Sequence, residues 1–308
     1  MSNSTLSLTG EDSFFAKLFQ ALPEMPASVV VPPGDDCAGI RFGDGRLLLV
    51  AVDQLVGDRH YRTDGENATS PRLAGRKLLA RNLSDIAAMG GHPTFCLLAG
   101  AFPKSRAQSW LEEYYGGIID TARAYAVSMI GGDFAATAKG DEVGSLTILG
   151  EVEESLVLLR SGAHPGDLLY ATGCFGSSFP TGHHLKFTPR CQEGRWLATH
   201  RLACAAMDVS DGLLVDLARI CRASGVGCQL DLTRIPRRTP QTTLQQALTD
   251  GEDYELLFAV PAAAGQELRQ KWPFQTPLTR LGVFDSSGAL SDQEGQPLSI
   301  AGWDHFQR

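Results

Sequence analysis

The stretch SPRLAGRKLLARNLSDIAAMGG, Ser70 to Gly91, constrains this chain more than any other. Ser70 followed by Pro71 starts a helix, Leu73, Leu78, Leu79, Ile86 and Met89 supply an apolar face, and Gly90-Gly91 stops it. Its second half carries Asn82, Ser84 and Asp85, whose side chains compete for backbone hydrogen bonds and so favour caps and turns over helix interiors. Two readings are open on this stretch alone. Either the helix breaks and Ser84 caps a second one, or one helix runs through, with Asn82 and Asp85, three apart on one face, aiming an amide and a carboxylate at one point.

Four other segments place aspartates beside small or β-branched residues where a strand pattern ends or a helix pattern begins: Gly34-Asp35-Asp36, Ala51-Val52-Asp53, Gly131-Gly132-Asp133 and Asp208-Val209-Ser210-Asp211. Carboxylates gathered at one site repel each other and stay ionised together only when cations neutralise them. Without His or Cys partners they are hard oxygen ligands, which select Mg²⁺ or Ca²⁺, and magnesium is commonly shared with substrate phosphates. The expectation is a phosphate-handling site built on metal ions. No GxxxxGK[ST], no GxGxxG after a strand and no GxSxG is present, which argues against a P-loop, a Rossmann dinucleotide site and a nucleophile elbow. Gly131-Gly132 reads as a turn through which a backbone approaches a phosphate, and Ser210 as the cap of a helix over 211–223 whose N–H groups face an anion. His183-His184 lacks helical metal spacing and is expected on the surface.

With 308 residues, 43% of them hydrophobic and 20% charged, the chain has the composition of a soluble globular protein of two domains. Its net charge of −8 argues against a nucleic-acid partner. Seven cysteines without a CxxC pair fit reduced thiols in a cytoplasmic protein, with Cys37, Cys96, Cys174 and Cys204 as core filler. Neither a signal peptide nor a membrane span is expected. Strand patterns at 28–31, 46–52, 94–102, 127–130 and 145–152 alternate with helix patterns at 9–22, 70–91 and 106–125, which indicates a mixed α/β layer structure. After the loop at 161–167 come strands at 168–172, 228–232 and 254–260 and helices at 190–206, 211–223 and 239–248. The division falls a little before that loop, giving domains 1–153 and 154–308.

The order of motifs resembles the thiamine-monophosphate kinase family: GDDCA at 34–38, VDQLV at 52–56 followed by His60, NLSDIAAMG at 82–90, GGD at 131–133, RSGAHPGD at 160–167, DVSDGL at 208–213, GEDYEL at 251–256 and Gly302-Trp303-Asp304-His305-Phe306 at the end. The resemblance spans nearly the whole chain. It implies a two-domain fold shared with aminoimidazole ribonucleotide synthetase, α/β (α+β), in which an N-terminal mixed sheet pairs in a homodimer and a C-terminal α/β domain completes the site. The implied reaction is ATP-dependent phosphorylation of thiamine monophosphate to thiamine diphosphate. By the same resemblance Asp36, Asp53, Asp85, Asp133, Asp208 and Asp211 are the ligands of several Mg²⁺ ions. Gly132, Arg160 and Ser210 contact ATP, and His60, Glu252 and Trp303 contact the thiamine phosphate.

No residue is expected to act as a general acid or base. A phosphate monoester has a second pKa of about 6, so the acceptor oxygen is largely ionised at neutral pH. Alignment and charge neutralisation then carry the transfer. The chain departs from the family at Val52 and Gln54, where threonines flank the second aspartate, at Phe134 for a Thr and at Ser177 for an Asp, and the segment 182–190 looks shortened. These departures keep open a non-catalytic relative that binds nucleotide or thiamine phosphates, or another ATP-dependent enzyme of the same fold.

Overall fold

The computed structural model describes residues 11–303, in which the chain builds two six-stranded sheets. A helix α1 (Glu11–Gln20) precedes β1 (Val29–Val31), β2 (Ala38–Phe42) and β3 (Arg46–Val56). Then come α2 (Pro71–Ala88), β4 (His92–Pro103), α3 (Gln108–Ala124), β5 (Ser128–Thr137) and β6 (Val143–Glu153). The first sheet has the order β1-β2-β3-β6-β4-β5, antiparallel except for the parallel pair β4 and β5. Alternation sends Leu47, Leu49, Leu146 and Ile148 into one core with Leu78, Leu79, Leu83 and Ile86 of α2. Glycines let α2 and α3 touch: a Cβ at Gly75 would lie 1.9 Å from the Tyr114 carbonyl oxygen, and one at Gly117 1.9 Å from that of Arg72.

The second half runs β7 (Leu168–Thr172), α4 (His183–Lys186), α5 (Cys191–Thr199), β8 (Ala205–Asp208), α6 (Leu213–Ser224), β9 (Gly227–Leu230), α7 (Leu244–Thr249), β10 (Leu256–Val260), α8 (Gly265–Lys271), β11 (Leu278–Asp285) and β12 (Leu290–Asp292). Its sheet order is β12-β9-β11-β7-β10-β8. All neighbours are antiparallel except β9 with β12. Every residue of β10 is buried.

Helix α2 is continuous. The Ser70 hydroxyl accepts from the Leu73 N–H at 3.3 Å and Pro71 takes the first turn, where its missing N–H costs nothing. The helix then passes through Asn82, Ser84 and Asp85 without a break, because 12 of its 18 residues are buried between the first sheet and the second half, and tertiary packing overrides propensity.

Several local expectations are corrected. Gly131-Gly132-Asp133 is no turn: it lies inside β5, and a Cβ at Gly132 would lie 2.0 Å from the Leu98 carbonyl oxygen, so this glycine serves strand contact. The helix expected over 190–206 ends at Thr199, and Ala205–Asp208 pairs with β10, a short run of small apolar residues that suits either element. The helix expected from Thr239 starts only at Leu244, after a capping box between Thr243 and Gln246. His184 is buried and stacked 3.9 Å from Phe179, not on the surface, and His183 is half-buried against the Asp253 carbonyl. Thr9, Gly10 and the closing Asp304-His305-Phe306 lie outside the described residues. No described helix is long and apolar enough to cross a membrane.

Candidate metal and phosphate site

Three of the six predicted aspartates converge. Carboxylate oxygens of Asp36, from the loop before β2, Asp85 of α2 and Asp208 at the end of β8 lie within 4.8 Å of one another. Burial raises the Asp85 carboxyl well above its ordinary pKa, and Asp53, Asp208 and Asp36 raise it further. Burial and then Asp36 do the same to Asp208, although Ser84 donates to it at 2.5 Å. Asp35 is raised to about 6 by burial and then by Asp36, despite accepting the Arg160 N–H at 3.1 Å. The Oδ1 of Asp36 takes Arg160 Nη2 at 2.6 Å, while its buried Oδ2 has no hydrogen-bond partner. Crowded carboxylates of high proton affinity with an orphaned oxygen fit a hard divalent cation, whose charge would replace the protons.

The other three aspartates stand differently. Asp53 of β3 accepts Arg81 Nε at 2.8 Å. Asp211 accepts Arg219 Nη1 at 2.6 Å. Asp133 is exposed on edge strand β5, opposite Ala99, and Gly132 beside it is exposed too. Neither Asp53, Asp133 nor Asp211 joins the converging oxygens among the described residues.

A cavity beside this cluster gathers five predicted residues from four stretches of chain: His60, Ser210, Asp211, Glu252 and Trp303, together with Arg59, Arg81, Phe179, Gly251 and Tyr254. Glu252 and Tyr254 both have positive φ, 64° and 52°, so the loop before β10 stores strain where it meets the cavity. The Trp303 N–H bonds the Asp211 carbonyl at 2.7 Å and fixes the tail there. His60 Nδ1 lies 2.9 Å from the Val56 nitrogen and 3.3 Å from the Val56 carbonyl oxygen, which fixes the ring against the end of β3.

Three residues that organise this region carry no sequence signal of their own. Lys77 of α2 is fully buried and bonds both Glu252 oxygens and the His60 carbonyl at 2.7 Å each. Burial pulls its ammonium down to about 8, with Glu252 opposing. Asp216 does the capping expected of Ser210: its Oδ2 accepts the N–H groups of Ser210, Asp211 and Gly212 at 3.0 to 3.2 Å, and α6 begins at Leu213. Arg81 completes the set. In the sequence Lys77 and Arg81 are two of four basic residues on α2, and nothing local separates them from Arg72 and Arg76 or names their partners.

Arg160 also borders a second groove, with Phe15, Phe19, Gly34, Arg219 and Arg222. The departures from the family pattern are visible as well. Val52 is 63% exposed, and Phe134 is exposed with its ring 5.8 Å from that of Phe102. Ser177 donates its N–H to Asp250 at 2.9 Å, so a neighbouring aspartate stands by where the resemblance has an Asp at 177.

Residues 34–152 match the AIR synthase related protein N-terminal domain, and residues 143–275 the corresponding C-terminal domain. The chain is 33% identical to thiamine-monophosphate kinase of Escherichia coli K12, over 96% of this chain and 98% of that one. It is 36% identical to the Rhodopirellula baltica protein of the same name, over 88% of each. The solved structure of AaThiL complexed with AMPPCP and TMP superposes with a TM-score of 0.86 at 23% identity, covering 99% of this chain and 100% of that one, which shows a shared fold.

Proposed function

As the chain belongs to the thiamine-monophosphate kinases of the AIR synthase related family, we propose that it transfers the γ-phosphoryl group of ATP to thiamine monophosphate. The observation that carries this reading is the convergence of His60, Ser210, Asp211, Glu252 and Trp303 on one cavity, where Ser210 stands two residues along the chain from Asp208 of the Asp36–Asp85–Asp208 cluster. Trp303, Tyr254 and Phe179 give the cavity aromatic walls suited to a heteroaromatic ring, and His60 and Arg81 give it donors suited to a phosphate. Asp36, Asp85 and Asp208 would hold a Mg²⁺ ion, which would supply charge neutralisation for the phosphates. Arg160, already turned onto Asp36, takes the ATP side together with the Ser210 side chain, on a loop whose N–H groups Asp216 holds.

The homodimer is proposed on a second observation. Val52, Phe95 and Leu97 are exposed on β3 and β4, on the face opposite the buried Leu98 and Phe102, and Met129, Ile130 and Phe134 are exposed along β5, the edge strand of the described sheet. Covering this face with a second copy removes both liabilities. Gly132 and Asp133 lie on β5, so their roles toward ATP and metal belong to that assembled state. The seven free thiols accord with a cytoplasmic enzyme. The test is conversion of thiamine monophosphate to thiamine diphosphate with ATP and Mg²⁺, followed by chromatography, with aminoimidazole and selenide substrates as controls. Product that requires both ATP and Mg²⁺ is expected; binding of thiamine monophosphate without product would overturn catalysis.

A further inference from the structure

We propose that Arg81 is a built-in cation of this site, neutralising Asp53 in place of a divalent metal ion and offering the same guanidinium to the substrate phosphate. The proposal rests on the phosphoryl-transfer reading above. Arg81 donates through Nε to Asp53 Oδ2 and through Nη1 to the Gln54 carbonyl, both at 2.8 Å. The two side chains are only 11% and 25% exposed, so water screens the pair weakly. The resemblance makes Asp53 a magnesium ligand, flanked by threonines whose hydroxyls could complete a coordination shell. Here Val52 has no side-chain oxygen to give, the Gln54 main-chain oxygen already accepts from Arg81, and the only flanking side-chain oxygen left is the neutral Gln54 amide.

The wider geometry agrees. Asp53 stays outside the three carboxylates whose oxygens meet, although its charge is felt by Asp85 and Asp208. A hard cation needs several oxygens, and this corner offers one carboxylate already bound to a guanidinium and one neutral amide. Arg81 stands one residue from Asn82 and four from Asp85 on the same helix, so α2 brings a fixed positive charge to the edge of its own anionic cluster. It also lines the cavity with His60, Glu252 and Trp303. A planar guanidinium keeps its charge at any working pH and matches phosphate oxygens in pairs, which an ammonium does not. The substitution of a fixed charge for an ion would let the site work with fewer metals than the resemblance implies.

The experiment counts bound Mn²⁺ by the electron paramagnetic resonance of free Mn²⁺, titrated into the full chain saturated with a non-hydrolysable ATP analogue. Asp53→Asn is expected to bind as many Mn²⁺ ions as the unaltered protein, because its counter-ion was never a metal. Arg81→Gln is expected to bind one more, since Asp53 then needs a cation, and Arg81→Gln with Asp53→Asn to return to the original number. Loss of one Mn²⁺ in Asp53→Asn, or an unchanged number in Arg81→Gln, overturns the proposal. If Arg81→Gln does not fold, the Asp53→Asn and double variants decide it, since loss of an ion in either is refuting. These counts do not depend on turnover, so a chain that makes no thiamine diphosphate fails the functional reading alone.

Discussion

Lys77→Met tests the contact that ties the two halves of the molecule together at the cavity lined by His60 and Glu252. The Lys77 side chain is 0% exposed and that of Glu252 14%, and three bonds of 2.7 Å join the ammonium to the Glu252 carboxylate and the His60 carbonyl. Methionine keeps the length of the stem but strands a carboxylate in a site of low dielectric. Removing one partner of a buried pair costs about 3–5 kcal/mol. At roughly 2–4 °C per kcal/mol for domains of 150–250 residues, that is a fall of about 6–20 °C in Tm. Lys77→Met with Glu252→Gln removes both charges and is expected to recover most of the loss, because the cost lies in the unpaired charge. Thermal unfolding followed by circular dichroism reads the stability. The KM for thiamine monophosphate reads the cavity, and it is expected to rise in both variants because Glu252 and the His60 loop lose their anchor. A single variant as stable as the unaltered protein, or a double variant no better than the single, would refute the reasoning.

Further outcomes follow from the carboxylate cluster and the exposed sheet face. Asp85→Asn is expected to keep the fold and lower turnover at least about tenfold through loss of a metal ligand, and an unchanged rate would remove Asp85 from the site. Chelation with EDTA should abolish activity and added Mg²⁺ restore it; turnover that survives EDTA would count against the metal reading. The raised carboxyls set a pH dependence. Asp85 and Asp208 bind protons more tightly folded than unfolded, as does Asp35, which moves from 3.8 to about 6, so the metal-free protein loses their contribution as pH rises, the Asp35 part between about 4 and 6 and the Asp85 and Asp208 parts as pH climbs above the ordinary carboxylate range. The increase in Tm on adding Mg²⁺ should therefore be larger at pH 7.5 than at pH 5, and equal shifts at the two pH values would contradict the protonated cluster. Ile130→Asp, at a position 57% exposed on β5, should turn a dimer into a monomer by light scattering while leaving the monomer folded; a variant that remains dimeric would move the interface elsewhere.

The sequence by itself determined the features that depend on neighbours along the chain. The Ser70-Pro71 start of α2, the αL stop at Gly225 after α6, the alternation of β3 and β6 and the ordered motifs that point to the kinase family are all local patterns. They also named the five residues that meet at the cavity. Tertiary structure decided the rest. Whether α2 broke at Ser84 depended on burial from both sides, which no local preference records. The glycines at 131 and 132 read as a turn until β4 lay against them, and His184 read as surface until Phe179 covered it. The partners of Lys77, Arg81 and Asp36 lie 175, 28 and 124 residues away in the chain. A charge can be seen in a sequence, but its counter-charge is chosen by the fold. For that reason the carboxylate trio, the Lys77 anchor and the Arg81–Asp53 pair emerged only when the two sheets were placed around a single helix.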